Sequence, residues 1–320
     1  MAVNANGNFK ISLSNQSYLS NYAPSLGILD KIRSPLESIL SPLVNGAVKK
    51  TEELDTLRTE LLKDPNVERL KIKSQDAQVL LDGILIKAEA QPAKGVIFFM
   101  PGSGSSYESI ANHDDIASKY VDFFKSHVGN DIDILMINSR GIGESSGTPS
   151  YEGWVKDIFN GLNELTQRGY DLKNTLLYGY SIGAWISADA AHGFCKDLEE
   201  KVAIVSDRSF SNFADVAYHY LGGGIKGYAA YVLATCGKWN ANVEKNWLAV
   251  SSKSLVVYAD EDMVVLPAAS LFKSLQKKGL FDTPERHFIL KGGKYAHSRP
   301  FTTDEKKDLG PRLRKLMSLS

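Results

Sequence analysis

Short, mainly apolar runs of six or seven residues recur along the chain and are separated by stretches of helical character. The runs are GVIFFM (95–100), DILMIN (133–138), TLLYGY (175–180), VAIVSD (202–207), SLVVYAD (254–260) and HFILKGG (287–293). A strand that is buried on both faces reads as a continuous apolar run, whereas a half-exposed strand alternates. The pattern therefore predicts an α/β fold with a mostly parallel central sheet and helices on both faces.

The chain before these runs differs from them in composition and in the spacing of its apolar residues. Residues 1–30 are rich in Asn, Ser and Gly, and apolar residues at helical spacing follow between 34 and 63. From Val67, the sequence VERLKIKS alternates apolar and polar residues and VLLDGILIKAEA follows, which predicts a pair of strands. We therefore expect a partly helical N-terminal extension over 1–65 and a main domain over 66–320.

Helices are expected between the strands, where apolar residues recur at every third or fourth position. The spacing predicts them from Glu108 to Val128, from Glu152 to Arg168, from about Ile182 onwards and from Thr303 to Met317. In the last of these, Gly310-Pro311 predicts a break, because proline lacks the N–H of a helical hydrogen bond.

The segment from 213 to 247 is too long for a simple connection and is rich in tyrosine and tryptophan. It contains Gly222-Gly223-Gly224, which is a poor sequence for a packed helix but a suitable hinge. Long insertions in α/β domains often form lids or binding loops. We interpret the segment as a small helical cap, with Tyr228 and Tyr231 as candidate substrate-binding residues. Packing helices without a binding role are the alternative.

Composition and charge exclude several classes of protein. The 320 residues include 37 Lys and Arg against 37 Asp and Glu, whereas nucleic-acid binders usually carry a basic excess. No apolar stretch approaches the ~18 residues that a membrane-spanning helix needs, and the first residues lack the pattern of a secretory signal. The two cysteines, Cys195 and Cys236, indicate neither a metal cluster nor a disulfide framework. We expect a cytoplasmic protein that neither binds nucleic acid nor crosses a membrane, and its oligomeric state is open.

The strongest motif is Gly179-Tyr180-Ser181-Ile182-Gly183, a G-x-S-x-G sequence between an apolar strand and a predicted helix. In this context the motif forms a nucleophile elbow, a sharp turn that exposes the serine hydroxyl. Small residues are needed on both sides because the backbones approach closely, and the N-terminus of the following helix favours developing negative charge. Ser181 is therefore the candidate nucleophile, with a simple helix-capping serine as the alternative.

A nucleophilic serine needs a general base, and the chain order expected after such an elbow is serine, acid, histidine. Of the six histidines, only His287 and His297 follow all the acid candidates. His287 begins an apolar strand, where its side chain faces the sheet. His297 follows a strand and a glycine loop and precedes a predicted helix, which places it at the same sheet edge as Ser181. We select His297 as the base.

The acid is expected in Asp260-Glu261-Asp262, directly after a buried strand. We select Asp262 because its spacing from the strand end gives the loop room to turn back. Asp260 is a competitor, and so is Asp207, which ends the preceding strand. Glu261 fits an acidic surface turn best.

Two backbone N–H groups are expected to stabilise the oxyanion. In a nucleophile elbow one comes from the residue after the serine, here Ile182, and the other from the loop after the first parallel strand. That loop is Met100-Pro101-Gly102-Ser103-Gly104-Ser105-Ser106, whose glycines permit close backbone approach, and Ser103 is the second candidate donor. The lysine of a phosphate-binding loop is absent from it.

These features together resemble an α/β-hydrolase-fold serine hydrolase over roughly residues 75–318. The sequence NSRGIGESSG (138–147) resembles the R-G-x-G-x-S-x-G loop that follows the fourth strand in that superfamily. The continuation TPSYEG (148–153) and the segment SFSNFADVA (209–217) are similar to the branch that contains depalmitoylase-like and monoacylglycerol-lipase-like enzymes. The resemblance implies an α/β-hydrolase fold, to which the residue pattern adds the helical N-terminal extension and the small helical cap.

The resemblance also bears on the acid, the oxyanion loop and the histidine. The turn DMVV (262–265) matches the acid loop of the same branch, which favours Asp262 over Asp207. The usual His-Gly of the oxyanion loop is Pro101-Gly102 here, which keeps the backbone donor at Ser103. The usual Gly-x-Gly-His is replaced by GKYAH (293–297).

The expected function is cleavage of carboxylic esters or thioesters by Ser181, His297 and Asp262, with a small-molecule or lipid-like acyl substrate. This chemistry needs no metal and no organic cofactor. A catalytically silent binding or effector protein on the same scaffold is the alternative, because fold does not determine function. A peptidase ranks last, because the chain has no large domain of the kind that restricts access to such sites.

Overall fold

The computed structural model describes residues 51–74, 78–196, 198, 201–281, 283–293 and 295–319. Most of the N-terminal extension lies outside the described residues, and with it the part of the predicted helical stretch that precedes residue 51. The end of that stretch is helix α1, Thr51–Leu61, which buries Leu54 against the main domain.

The described residues form one sheet of eight strands. They are β1 (Val67–Lys73), β2 (Leu80–Ile86), β3 (Gly95–Met100), β4 (Ile132–Ile137), β5 (Thr175–Tyr180), β6 (Ala203–Asp207), β7 (Ser254–Ala259) and β8 (His287–Leu290). Their order in space is β1-β2-β4-β3-β5-β6-β7-β8. The first two pairings, β1–β2 and β2–β4, are antiparallel, and the other five are parallel. The prediction of a mostly parallel sheet is confirmed.

Helices cover both faces of this sheet, as predicted. After α1 they are α2 (Ile116–Phe123), α3 (Tyr151–Gln167), α4 (Ile182–Cys195), α5 (Phe213–Tyr220), α6 (Gly224–Cys236), α7 (Glu244–Ala249), α8 (Leu271–Gln276) and α9 (Thr303–Leu316). Short 3₁₀ turns lie at Tyr107–Ala111, Leu172–Asn174, Ser251–Lys253 and Pro284–Arg286. In the part of the chain that the structure describes, none of the helices has the length and apolar content that crossing a bilayer requires.

Alternate residues of each central strand enter different hydrophobic cores. On one face Phe98 packs in a cluster with Trp154 of α3 and Trp185 of α4. On the other face Phe99 packs with Tyr120 of α2 and the inner side of α9. Burying one such side chain contributes ~1.5–3 kcal/mol, so both halves of each apolar run stabilise the sheet. This explains why the strands read as continuous apolar sequences.

The single helix predicted from Glu108 to Val128 is wrong. A 3₁₀ turn ends at Ala111, α2 begins only at Ile116, and its last turn widens to a π-turn over Phe124–Val128. The interruption has a local cause, because Asn112 and Asp115 accept backbone N–H groups two residues ahead with their own side chains. Such bonds compete with helical hydrogen bonding and restart the helix at a new cap.

The break predicted at Gly310-Pro311 is also wrong, because α9 continues through both residues. A proline inside a helix costs ~3 kcal/mol. The fully buried Leu309 and Leu313, on the same helix, contribute ~1.5–3 kcal/mol each and outweigh that cost. Gly310 is needed for this packing, since a β-carbon there would lie 2.3 Å from the carbonyl oxygen of His127.

The predicted cap segment consists of α5, α6 and the start of α7. Gly222, Gly223 and Gly224 join α5 to α6, and all three have positive φ values, of 77°, 68° and 60°. Only glycine adopts this conformation at low cost, which explains the triple glycine. The helical content agrees with the prediction, whereas the role of the segment as a cap remains a prediction.

Candidate active site

Ser181 lies in the turn between β5 and α4, at the carboxyl edge of the parallel strands. Its backbone has φ 54° and ψ −120°, a conformation that costs a non-glycine residue ~1–3 kcal/mol and must be held by its surroundings. The two glycines of the motif permit the turn. A β-carbon on Gly179 would lie 2.3 Å from the Cα of Ala184, and one on Gly183 would lie 2.3 Å from the carbonyl oxygen of Met100.

The turn is held on its other side by β6 and the residues that follow it. The backbone N–H of Ser181 donates to the carbonyl of Asp207 at 2.8 Å, and the hydroxyl of Ser209 donates to the carbonyl of Ser181 at 2.8 Å. Ser181 is 8% exposed, which is less than the elbow motif by itself predicts. The reason is that its hydroxyl faces His297 while Gly102 of the neighbouring loop covers the turn.

A continuous chain of hydrogen bonds joins the serine, the histidine and one carboxylate. The Nε2 atom of His297 lies 3.1 Å from Oγ of Ser181, and Nδ1 of His297 lies 2.7 Å from Oδ2 of Asp262. With the carboxylate ionised, Nδ1 is the donor to Asp262, and Nε2 is free to accept the serine proton. The other oxygen of Asp262 accepts the backbone N–H groups of Val264 and Val265, both at 2.8 Å, and this fixes the orientation of the carboxylate.

The competing acids are placed differently. Asp207 is buried, and its carboxylate accepts hydrogen bonds from the hydroxyl groups of Tyr120 and Tyr178 and from Nε of Arg208. Asp260 is exposed, and Glu261 accepts the backbone N–H of Gly293. Of the four carboxylates considered, Asp262 is therefore the one that contacts the histidine.

The rejected histidine, His287, is the first residue of β8. Its ring packs against Phe272 and Phe281, with ring centroids 5.5 and 5.6 Å away. This agrees with its interpretation as a residue of the sheet rather than of the site.

Two residues that the sequence reasoning missed hold the loop around His297. The hydroxyl of Tyr180 donates to the carbonyl of His297 at 2.6 Å. The Nη1 atom of Arg208 donates to the carbonyls of Ala296 and Arg299 at 3.0 and 2.8 Å. Burial would lower the pKa of Arg208, but the adjacent charge of Asp207 keeps that pKa well above its ordinary value. The signal in the sequence was a charged Asp-Arg pair directly after an apolar strand.

The predicted oxyanion donors meet in one cleft beside the serine. The cleft is open to solvent and has a cavity volume of about 30 Å³, and Ser103 and Ile182 both line it. Its remaining wall includes the apolar side chains of Ile137, Ile142 and Trp154. The sequence prediction thus named residues from both sides of the cleft.

The structure does not bring the candidate substrate-binding tyrosines of the cap to this cleft. Tyr228 is 65% exposed on α6, and Tyr231 is half-buried one turn further on. Neither is among the residues that line the cleft. Their role in substrate binding remains a prediction.

Comparison with known proteins identifies the family. The model of the family described as Chlamydia CHLPS protein (DUF818) matches residues 45–277. The chain belongs to the CHLPS family. The match begins before α1 and ends after α8, so it includes Ser181 and Asp262 of the CHLPS chain but stops short of His297.

Among curated proteins, this chain is similar to parts of two large toxins. It is 30% identical over 190 residues to a multifunctional-autoprocessing repeats-in-toxin of Vibrio cholerae, with 55% of this chain and 4% of the toxin covered. It is 34% identical over 118 residues to a toxin of the same name from Vibrio vulnificus, with 35% of this chain and 2% of the toxin covered. The chain therefore spans only a small part of each relative.

Solved structures show the fold. An α/β hydrolase from Vibrio vulnificus superposes with a TM-score of 0.61 at 20% identity, covering 92% of this chain and 94% of that one. An esterase from Pyrococcus furiosus superposes with a TM-score of 0.58 at 14% identity, covering 78% of this chain and 91% of that one. The expected α/β-hydrolase fold is confirmed.

Proposed function

We propose that this CHLPS protein is a serine hydrolase that cleaves carboxylic ester or thioester bonds through an acyl-enzyme intermediate. The observation that carries the proposal is the hydrogen-bonded series from Ser181 through His297 to Asp262 beside a cleft that both oxyanion donors line. A nucleophile, a base and an orienting carboxylate in this geometry are the parts that acyl transfer requires.

In the first half of the reaction, Nε2 of His297 takes the hydroxyl proton while Oγ of Ser181 bonds to the substrate carbonyl carbon. The carbonyl electron pair moves to oxygen and forms a tetrahedral oxyanion. When the pair returns, the bond to the leaving alcohol or thiol breaks, and His297 passes its proton to that group. Water then repeats the sequence on the acyl-enzyme, which releases the acid and restores Ser181.

Two features of the site lower the activation barrier of acyl transfer. Asp262 holds His297 in the tautomer that accepts the serine proton and stabilises the imidazolium that follows. The backbone N–H groups of Ser103 and Ile182 stabilise the oxyanion, each contributing ~3 kcal/mol. The replacement of the usual His-Gly by Pro101-Gly102 is compatible with this role, because Ser103 still supplies a backbone N–H.

The apolar wall of the cleft favours an acyl group as the part of the substrate that enters it. Ile137, Ile142 and Trp154 offer no charged group to a ligand, whereas the residues of the oxyanion loop that line the cleft contribute backbone and hydroxyl groups. This combination of an apolar wall and polar loop groups fits a lipid-like or small acyl ester or thioester. Such substrates are of the kind used by the depalmitoylase-like and monoacylglycerol-lipase-like branch.

The proposal is tested with a fluorophosphonate probe on the full chain. The probe should label Ser181, and peptide mapping should find the adduct on that residue and not on Ser209. Unlabelled protein that also fails to hydrolyse p-nitrophenyl esters from acetate to palmitate would reject the proposal, provided that a control serine hydrolase reacts.

That negative outcome would favour the second candidate, a binding or effector protein without catalysis. Two observations support this candidate. The oxyanion and histidine loops depart from the usual sequences at Pro101 and between 293 and 297, and the curated relatives are parts of toxins.

Substitution of Tyr180 by Phe should slow turnover without unfolding the protein. The change removes only the hydroxyl that donates to the carbonyl of His297. Because misplacement of a catalytic group by 1 Å can cost ~10²-fold, we expect kcat to fall by about tenfold with little change in KM. Tyr170→Phe is the matched control, since it removes a hydroxyl that donates to Asp133, away from the histidine loop. Equal kcat values in the two variants would show that Tyr180 does not position His297.

Catalytic efficiency should rise with acyl length until the cleft is full. Each buried methylene contributes ~0.8 kcal/mol, or about fourfold in kcat/KM. Ile142→Ala should move the optimum among C2 to C12 p-nitrophenyl esters towards longer chains, because it removes part of the cleft wall. Tyr228→Ala with Tyr231→Ala tests the cap instead. If the dependence of kcat/KM on chain length changes only in the variant with both tyrosines replaced, the acyl group binds at the helical segment and not in the cleft.

A further inference from the structure

A buried ion network joins helix α1 to the turn that follows the oxyanion loop. Arg58 of α1 is 5% exposed. Its Nη2 atom donates to Glu108 at 2.6 Å and its Nε atom donates to the hydroxyl of Tyr107 at 2.7 Å. Its Nη1 atom donates to Glu144 at 2.6 Å and to Asp55 of the same helix at 2.7 Å. One guanidinium group therefore contacts both the 3₁₀ turn that begins at Tyr107 and the loop that follows β4.

The same network reaches the cleft through Asn138. Its side-chain amide donates to the second oxygen of Glu108 at 2.8 Å, and its side-chain carbonyl accepts the backbone N–H of Tyr107 at 3.0 Å. Asn138 itself lines the cleft, together with Ser103. Because Tyr107 and Glu108 follow directly after Ser106, where the oxyanion loop ends, these bonds hold that end of the loop against the end of β4.

The network contains three cations and four carboxylates. Arg58, Arg69 and Lys71 face Asp55, Asp82, Glu108 and Glu144. Burial would raise the pKa of Asp82, but hydrogen bonds from Arg69 and Tyr107 outweigh it and leave that pKa below its ordinary value.

Arg58 differs from the other two cations in its origin and its partner. Arg69 and Lys71 belong to strand β1 and contact Asp82 and Glu144, whereas Arg58 comes from a helix outside the sheet. In the described part of the chain it also forms the ion pair of Glu108, whose side chain is fully buried. Loss of one partner leaves a buried charge uncompensated, which is far more disruptive than loss of both.

We propose that Arg58 is a positioning residue for the oxyanion loop, so that helix α1 is part of the active-site framework and not merely an appended extension. The inference rests on the proposed hydrolase function. An oxyanion donor acts in the transition state, so a displaced loop lowers kcat and leaves KM nearly unchanged.

The test compares variants of the full chain by kcat, KM and melting temperature. Arg58→Met should lower kcat by about 10- to 100-fold, the range expected when reacting groups move by up to 1 Å, and should also lower the melting temperature. Arg58→Met combined with Glu108→Gln removes the uncompensated charge. It should therefore recover most of the melting temperature while kcat stays low, a separation that a purely structural role does not produce.

Three further variants complete the design. Arg58→Lys keeps the charge but not the forked donor geometry of the guanidinium group, and its kcat should fall between those of wild type and Arg58→Met. In Arg58→Ala, added ethylguanidinium should restore part of the lost kcat. Arg168→Met is the matched control, because Arg168 also donates to two carboxylates, Glu68 and Glu164, but at the surface. Its kcat should equal that of the wild type.

The outcomes separate the inference from the proposed function. An active wild type with wild-type kcat in Arg58→Met overturns the inference alone. So does a double variant that regains kcat together with its melting temperature, since Arg58 would then only hold α1 in place. A wild type without turnover and without probe labelling overturns both. If Arg58→Met does not fold, the double variant and Arg58→Lys decide the question.

Discussion

Substitution of Ser181 by Ala should reduce kcat for p-nitrophenyl esters to less than about 1% of wild type, because loss of the nucleophile of a triad costs on the order of 10⁴–10⁶-fold. It should also abolish labelling by a fluorophosphonate. The fold should survive, since the substitution removes one oxygen whose contact is the 3.1 Å bond to Nε2 of His297.

Ser206→Ala is the matched control for this experiment. Ser206 lies beside Gly179 in the sheet, and its hydroxyl is buried without a hydrogen-bond partner among the described residues. Removing such a hydroxyl should leave turnover intact and should not lower the melting temperature. Retained activity in Ser181→Ala would point to a different nucleophile, and equal loss in both variants would point to damage to the fold.

Substitution of Asp262 by Asn should reduce kcat by about 10⁴-fold, because an amide donor opposite Nδ1 favours the histidine tautomer that cannot accept the serine proton. The side-chain oxygen of the new residue still accepts the N–H groups of Val264 and Val265, so the loop should keep its shape. A single-turnover assay at several pH values would measure the loss in the rate of the chemical step directly.

Asp260→Asn makes the same chemical change two residues away, at an exposed position, and should leave kcat unchanged. Asp207→Asn is expected to act on stability instead, because it removes the charge that pairs with the buried Arg208. Similar mild effects on kcat at 260 and 262 would mean that the acid lies elsewhere and would reject the assignment of Asp262.

Much of the fold was predictable from the sequence because it is encoded in consecutive residues. Five of the six apolar runs form strands buried on both faces, whereas the sixth forms the edge strand β8, in which Ile289 is exposed. The elbow motif between a strand and a helix predicts a sharp turn at their junction. The two helix predictions that were wrong concern segments where local sequence effects and tertiary packing compete. Side-chain caps at Asn112 and Asp115 divided a helix, and the packing of Leu309 and Leu313 carried another helix through Pro311.

The candidate site was predictable in its residue types and less so in its contacts. The order of serine, acid and histidine narrowed the base to His287 and His297, and the position of His287 in a strand left His297. The loop after β3 indicated Ser103. The spacing from the strand end favoured Asp262 over its competitors Asp260 and Asp207, and the family resemblance strengthened Asp262 over Asp207. The charged pair Asp207-Arg208 was the one local signal for Arg208, and the local sequence gave none for the role of Tyr180, since both residues act through backbone carbonyls of a distant loop.

The sequence by itself determined the two-sided sheet, the elbow and the chemical identity of the groups at its carboxyl edge, because each depends on neighbouring residues. Only the tertiary structure decided which groups meet. His297 contacts Asp262 across 35 positions of the chain and Ser181 across 116 positions, and Arg58 reaches Glu108 from a helix outside the sheet. Such contacts depend on how separate elements pack and on which buried charges must be paired. Neither can be inferred from residues that are neighbours in the sequence.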